Sequence, residues 1–205
     1  MGRRGGFTLV DLLQVFGWLA LMLSAAAFVL PSFMHIDNYQ YGRRASCQSH
    51  LKEISIGLIA YVQDYDQRLP LIYGDRRVAS GSFGWAGAAQ PYLKNTSILQ
   101  CPSQLTPATA WPNSPDYTHY WFNSNLSGKS EQKLNWVSNI FLLGDGAGGR
   151  ASYAIRRPEA GPNYTWMNRH LSGANYAFVD GHVKWLKPEL VTTAAASASV
   201  FTFAT

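Results

Sequence analysis

The chain has 205 residues, room for one ordinary domain and an additional segment, since domains commonly run to roughly 100–200 residues. Hydrophobic residues make up 47% and charged residues 14%, which excludes a disordered polyelectrolyte and predicts a packed core. The net charge of +5 would suit an anionic partner, but two of the seventeen basic residues, Arg3 and Arg4, stand at the extreme N-terminus, so the remainder carries only a modest excess.

Met1-Gly2-Arg3-Arg4-Gly5-Gly6 precedes an apolar stretch from Phe7 to Met34, in which Thr8, Asp11, Gln14, Ser24 and Ser32 are the polar side chains. A bilayer needs roughly 20 apolar residues in a helix, so this stretch predicts a transmembrane segment. Arg3 and Arg4 place the N-terminus in the cytoplasm and the rest outside by the positive-inside tendency. Asp11 is anomalous there, because a carboxylate in hydrocarbon persists only with a partner. A second reading is a secretory signal peptide, with Arg3 and Arg4 as the basic region, residues 12–23 as the apolar region and Ser24-Ala25-Ala26-Ala27 as the cleavage site. An uncleaved anchor is a third.

Beyond Pro31, Cys47, Leu51, Ile54, Leu58, Tyr61 or Val62, and Tyr65 recur at spacings of three and four. This predicts an amphipathic helix ending near Gln67, before Pro70, with Gln48, Lys52, Ser55, Gln63 and Asp66 on its wet face. Residues 71–139 are dense in Gly and Pro and read as loops with short elements, of which residues 85–94 have helical character. Ile140-Phe141-Leu142-Leu143 predicts a short strand, and Gly144-Asp145-Gly146-Ala147-Gly148-Gly149 a flexible turn. Residues 175–186 alternate on both sides of Asp180-Gly181, predicting an antiparallel hairpin. From Thr192 to Phe203 the chain is small and weakly polar until its last apolar residues, which suits either a frayed end or a strand docked on a neighbour.

Cys47 and Cys101 fit one disulfide in an oxidising compartment, with two separately buried thiols as the alternative. Pairing would tie the loop region to the long helix and contribute about 4 kcal/mol by the chain-entropy model. His170 and Asp180 invite comparison with a general acid/base pair, but no nucleophile accompanies them, since Ser172 lacks the G-x-S-x-G elbow. The plainer reading assigns Asp180 to the turn and lets His170 pack or hydrogen-bond at the start of the first strand. The pairs Arg43-Arg44, Arg76-Arg77 and Arg156-Arg157 are scattered and read as solvated, so nucleic acid is not expected as a partner.

Gly6-Phe7-Thr8-Leu9-Val10-Asp11-Leu12-Leu13 resembles the class III prepilin cleavage site of type IV pilins and type II secretion pseudopilins. Arg44-Ala45-Ser46-Cys47-Gln48-Ser49-His50-Leu51-Lys52, Tyr61-Val62-Gln63-Asp64-Tyr65-Asp66, Pro91-Tyr92-Leu93-Lys94-Asn95 and Leu99-Gln100-Cys101-Pro102 resemble the pseudopilin-like proteins that carry an H-X9-DG domain. His170-X9-Asp180-Gly181 has the spacing that names that domain. The resemblance implies cleavage after Gly6, methylation of Phe7, and assembly in which Asp11 of an incoming subunit pairs with the α-ammonium of a neighbour's Phe7. Three features depart from the family pattern: Asp11 replaces the usual Glu, Gln14 is an added polar group, and Pro31 falls about one turn late, which would move the helix kink outward.

The expected fold is α+β: a long, partly transmembrane N-terminal helix packed on a small antiparallel sheet with long loops. Residues 1–6 would be the leader, 7–34 the membrane and assembly helix, 35–68 its amphipathic second half, 69–191 the head and 192–205 the tail. The implied role is structural, in a pilus-like filament or pseudopilus, with no catalytic residue. Prepilin peptidase, the membrane and other pilin subunits are the expected partners. The implied location is the inner membrane as a single pass with the head extracytoplasmic, and a periplasmic or extracellular filament after assembly. No cofactor is expected beyond calcium, which related pseudopilins use in this part of the fold and for which Asp145 and Asp180 are candidate ligands. The competing reading is a secreted or membrane-anchored binding protein or hydrolase that uses the H-X9-DG region.

Overall fold

A computed structural model describes residues 8–72, 84–104, 117–150, 154–156, 165–195, 197 and 201–203. The chain divides into two units, Met1–Tyr41 and Gly42–Thr205. Helix α1, Leu9–Asp64, is the first element and continues through Pro31.

In the first unit, residues Leu9–Val29 are long and apolar enough to cross a membrane. At 1.5 Å per residue these 21 residues span about 30 Å, the thickness of the hydrocarbon layer. Leu9, Leu12, Leu13, Phe16, Trp18, Leu19 and Phe28 are all exposed, so large apolar side chains point outward on every face. A helix that is apolar all round needs a hydrocarbon environment or packed neighbours.

In the second unit, the remainder of α1 buries Cys47, Leu51, Ile54, Leu58 and Val62 at spacings of three and four, as expected. Two positions differ from the periodic reading. Tyr65 is exposed and stacks on Tyr61, and Ser55 is buried with its hydroxyl donating to the Leu51 carbonyl at 2.7 Å. A serine that returns its proton to the preceding turn has no need of the wet face. The helix closes through Asp66 and Gln67, both left-handed at φ 52° and 56°, with Gln67 N donating to Val62 O.

Residues Trp85–Ala89 form α2, followed by single 3-10 turns at Gln90–Tyr92 and Thr96–Leu99. The sheet comprises β1 Tyr117–Asn123, β2 Phe141–Arg150, β3 Ala154–Ile155, β4 Ala174–Phe178 and β5 Val183–Leu186. Its order is β3-β1-β2-β4-β5; the β1–β2, β2–β4 and β4–β5 pairs are antiparallel and β1–β3 is parallel. The sheet is therefore mixed where an antiparallel one was expected. Strand β1 falls in the stretch read as loops, and β2 runs on through the glycine-rich segment read as a turn.

Both faces of the sheet are covered. Tyr120, Phe122, Leu143 and Ala177 join the helix stripe, Trp85 and the disulfide in one cluster. Trp121, Phe141, Tyr176, Phe178 and Leu186 alternate to the other face and meet Trp166 and Phe203. Residues 201–203 thus dock on the head: Thr202 bridges in parallel to Ile140 and to Thr192, and Phe203 is fully buried.

Gly144 shows why a strand can be rich in glycine. It stands opposite Trp121 in the β1–β2 register, and a Cβ there would lie 2.8 Å from the indole Cε2. Gly144→Ala is expected to destabilise the head by about 2 kcal/mol through overpacking, whereas Gly17→Ala, with open space around it, should be neutral. Denaturant unfolding of the full chain in detergent, followed by tryptophan fluorescence, measures both.

Candidate functional site

Gly6 and Phe7, the expected cleavage and methylation residues, lie outside the described residues. Their neighbours form a local motif. Thr8 N–H donates to Asp11 Oδ2 at 2.9 Å and Thr8 Oγ1 donates to the same oxygen at 2.6 Å, while Asp11 N–H lies 3.3 Å from Thr8 Oγ1 as acceptor. Helix α1 begins at Leu9, so this is a reciprocal capping box of Thr8 as N-cap and Asp11 at the third helical position. Asp11 also favours the positive end of the helix dipole. The Thr-x-x-Asp spacing ahead of an apolar run is the sequence signal that identifies it.

The head contains a buried polar cluster. Asp145, on β2, is fully buried. Its Oδ2 accepts from Asn175 N–H on β4 at 2.7 Å and lies 3.4 Å from His170 Nε2. Its Oδ1 is 3.7 Å from Arg169 Nη1, and Arg169 Nη2 also donates to the Gly146 carbonyl. A carboxylate in the interior is tolerable only with charged or hydrogen-bonding partners, and Arg169, His170 and Asn175 supply them.

His170 links this cluster to the disulfide. Cys47 and Cys101 are paired across a Cα separation of 5.4 Å, 54 residues apart, which by the chain-entropy model stabilises the fold by about 4 kcal/mol. Cys101 Sγ is 3.6 Å from His170 Nε2. His170 N–H donates to Gly173 O at 2.9 Å and its carbonyl accepts from Trp185 Nε1 at 2.6 Å. Between them Leu171 and Ser172 are left-handed at φ 56° and 64°, a strained turn held by those anchors. One donor atom each from Cys47, Cys101, Asp145 and His170 lies within 4.8 Å of the other three.

His119 flanks the same cluster. Its Nδ1 accepts from Cys101 N–H at 2.9 Å, so the neutral ring carries its proton on Nε2. Burial, and then the Arg169 charge, push its pKa down to about 4. Burial with the nearby Asp145 charge raises Tyr120 and Tyr176 well above the ordinary tyrosine value.

Asp180 is placed elsewhere, at the hairpin tip. Its Oδ1 accepts from His182 N–H at 3.1 Å and sits 2.6 Å from His182 Nδ1, and the His182 ring stacks on Phe178 at 4.2 Å. Gly181 is left-handed at φ 82°, a conformation glycine adopts readily in a hairpin loop, and its carbonyl accepts from Lys52 Nζ at 2.7 Å. His170 and Asp180 therefore each have another partner rather than one another. The two calcium candidates are likewise apart, Asp145 held by Arg169, His170 and the Asn175 amide, Asp180 by the turn.

The chain thus combines an apolar N-terminal helix with an α+β head. Residues 40–100 match the model of a family described as "Protein of unknown function (DUF1559)"; the matched stretch is similar to that family and carries Cys47 and the buried stripe of α1. The chain finds no match among curated proteins or among solved structures.

Arg169→Met leaves the Asp145 carboxylate short of a cation and is expected to lower stability by about 3 kcal/mol. Combining it with Asp145→Asn should recover most of that loss, as read by urea unfolding. Acid acts through His119. Unfolded, it titrates near its ordinary 6.5 and folded near 4, so the unfolded state takes up the proton first as the pH falls. Stability is expected to drop from about pH 6.5 to about pH 4 and to lose nothing further from this group below that. His119→Gln, whose amide oxygen can accept from Cys101 N–H, should flatten the slope in a thermal series across that window.

Proposed function

We propose that the protein is a structural subunit of a type IV pilus-like filament or type II secretion pseudopilus, cleaved after Gly6 by a prepilin peptidase and assembled through its N-terminal helix. The observation that carries this reading is the segment Leu9–Val29, apolar and exposed on every face, with Asp11 in its first turn. Before assembly this surface rests in the bilayer, with the head on the extracytoplasmic side. In the filament it packs against the same segment of other subunits, and the Asp11 carboxylate meets the amino terminus of a neighbouring Phe7. The protein acts by assembly and makes or breaks no covalent bond of a substrate.

Support comes from the family match over residues 40–100, the Gly6-Phe7-Thr8-Leu9 string and the H-X9-DG spacing. The capping box supplies a sharper test than deletion of the acid. Asp11→Asn keeps an oxygen that can accept from Thr8 while removing the charge, and Asp11→Ala removes both. Both variants are expected to be cleaved, with a mature chain beginning at Phe7, and both are expected to be missing from the sheared filament fraction on immunoblots. Normal incorporation of Asp11→Asn would reduce the acid to a helix cap and overturn the charge-pair mechanism. A mature chain beginning near Phe28 would overturn the filament reading itself in favour of secretion.

A further inference from the structure

We propose that the dithiol form of the chain binds one zinc ion between the Cys47 and Cys101 thiolates, His170 Nε2 and one Asp145 carboxylate oxygen. Two sulfurs, an imidazole nitrogen and a carboxylate oxygen form a donor set that zinc favours. All four residues are buried at 0–1% exposure, so the site is closed and structural rather than open to a substrate.

The spacing fits. Tetrahedral zinc with bonds of roughly 2.0–2.3 Å sets its donor atoms about 3.3–3.8 Å apart. His170 Nε2 already lies 3.4 Å from Asp145 Oδ2 and 3.6 Å from Cys101 Sγ, and the whole set is within 4.8 Å. These donors come from α1, from the segment after Thr96–Leu99, from β2 and from the turn before β4, so the fold itself assembles them.

The surroundings supply what a zinc site needs beyond its ligands. Asp145 is oriented by the Asn175 amide and accompanied by Arg169, and the His170 backbone is pinned at both its N–H and its carbonyl. Two thiolates and a carboxylate exceed the charge of Zn²⁺ by one unit, and the Arg169 guanidinium cancels it.

Zinc and the disulfide exclude one another, because both use the same two sulfurs. Zinc binding to the dithiol releases two thiol protons and transfers no electrons. Oxidation by a small-molecule disulfide such as oxidised glutathione forms the Cys47–Cys101 bond, reduces the oxidant to two thiols and, in the loaded chain, takes up two protons as the metal leaves.

The test uses the full chain in detergent, reduced, freed of reductant and titrated with Co²⁺ alone as an optical probe and then with Zn²⁺. One Co²⁺ per chain is expected, with tetrahedral visible bands and a sulfur-to-cobalt charge-transfer band that Zn²⁺ abolishes. The chain oxidised with glutathione disulfide should show neither, and His170→Gln should bind at least tenfold more weakly. Near-ultraviolet circular dichroism of the same samples reports tryptophan packing. A folded dithiol chain without the charge-transfer band overturns the proposal. So does the same band in the disulfide form or in Cys47→Ser/Cys101→Ser, and so does a reduced chain that loses its packing signal and does not regain it with zinc.

Discussion

The head depends on satisfying one carboxylate that has no access to water. Asp145 lies at the centre of the sheet, and the groups that answer it come from the turn before β4, from β4 itself and, one contact further out, from the disulfide. Burial of an unmatched carboxylate costs several kcal/mol, so these partners must form together. The glycine-rich run, the two cysteines and the histidine of the H-X9-DG signature are therefore parts of one structure, although they are far apart in sequence.

That view gives the signature spacing a physical meaning. From His170 the chain makes the left-handed turn at Leu171 and Ser172, runs the five residues of β4 and reaches Asp180 at the tip. The interval measures a turn plus one strand. His170 must face the interior to reach Asp145 and Cys101, while Asp180 must face the loop to hold His182. Adding or removing one residue between them would reverse the strand's faces, moving Tyr176 and Phe178 out of the aromatic cluster.

Much of this was legible in the sequence because the signals were local. The apolar front, the stripe from Cys47 to Val62 and the Asp-Gly hairpin all follow from spacing, whereas the two cysteines allowed a disulfide or two separate thiols, and the fold brings them together as a disulfide. Strand β1 escaped notice because it is buried on both faces and so lacks alternation. Strand β2 was hidden by its glycines, a turn signal locally, whose reason is the Trp121 indole across the ladder. The reading of Asp180 as a turn residue agrees with its hydrogen bond to His182 N–H, but the partner of His170 was not legible, because Asp145 is distant in sequence and becomes a neighbour only when the sheet forms. The Thr8-Asp11 capping box was readable but was overshadowed by the question of what a charge was doing in an apolar helix.

That capping box changes the energetics of the proposed assembly step. A carboxylate answered solely by another subunit would remain unpartnered in each free chain, and insertion of single subunits would be opposed until they met. Thr8 gives Asp11 a partner within its own helix, which under the proposed function would let a lone subunit wait in the membrane. In the proposed step docking would exchange hydrogen bonds to Thr8 for an ion pair with a neighbouring amino terminus, and only the difference between the two would favour association. A small difference selects register better than it drives assembly. The driving force of the proposed assembly would then fall to the close packing of side chains along Leu9–Val29, where contact between helices would replace lipid contact.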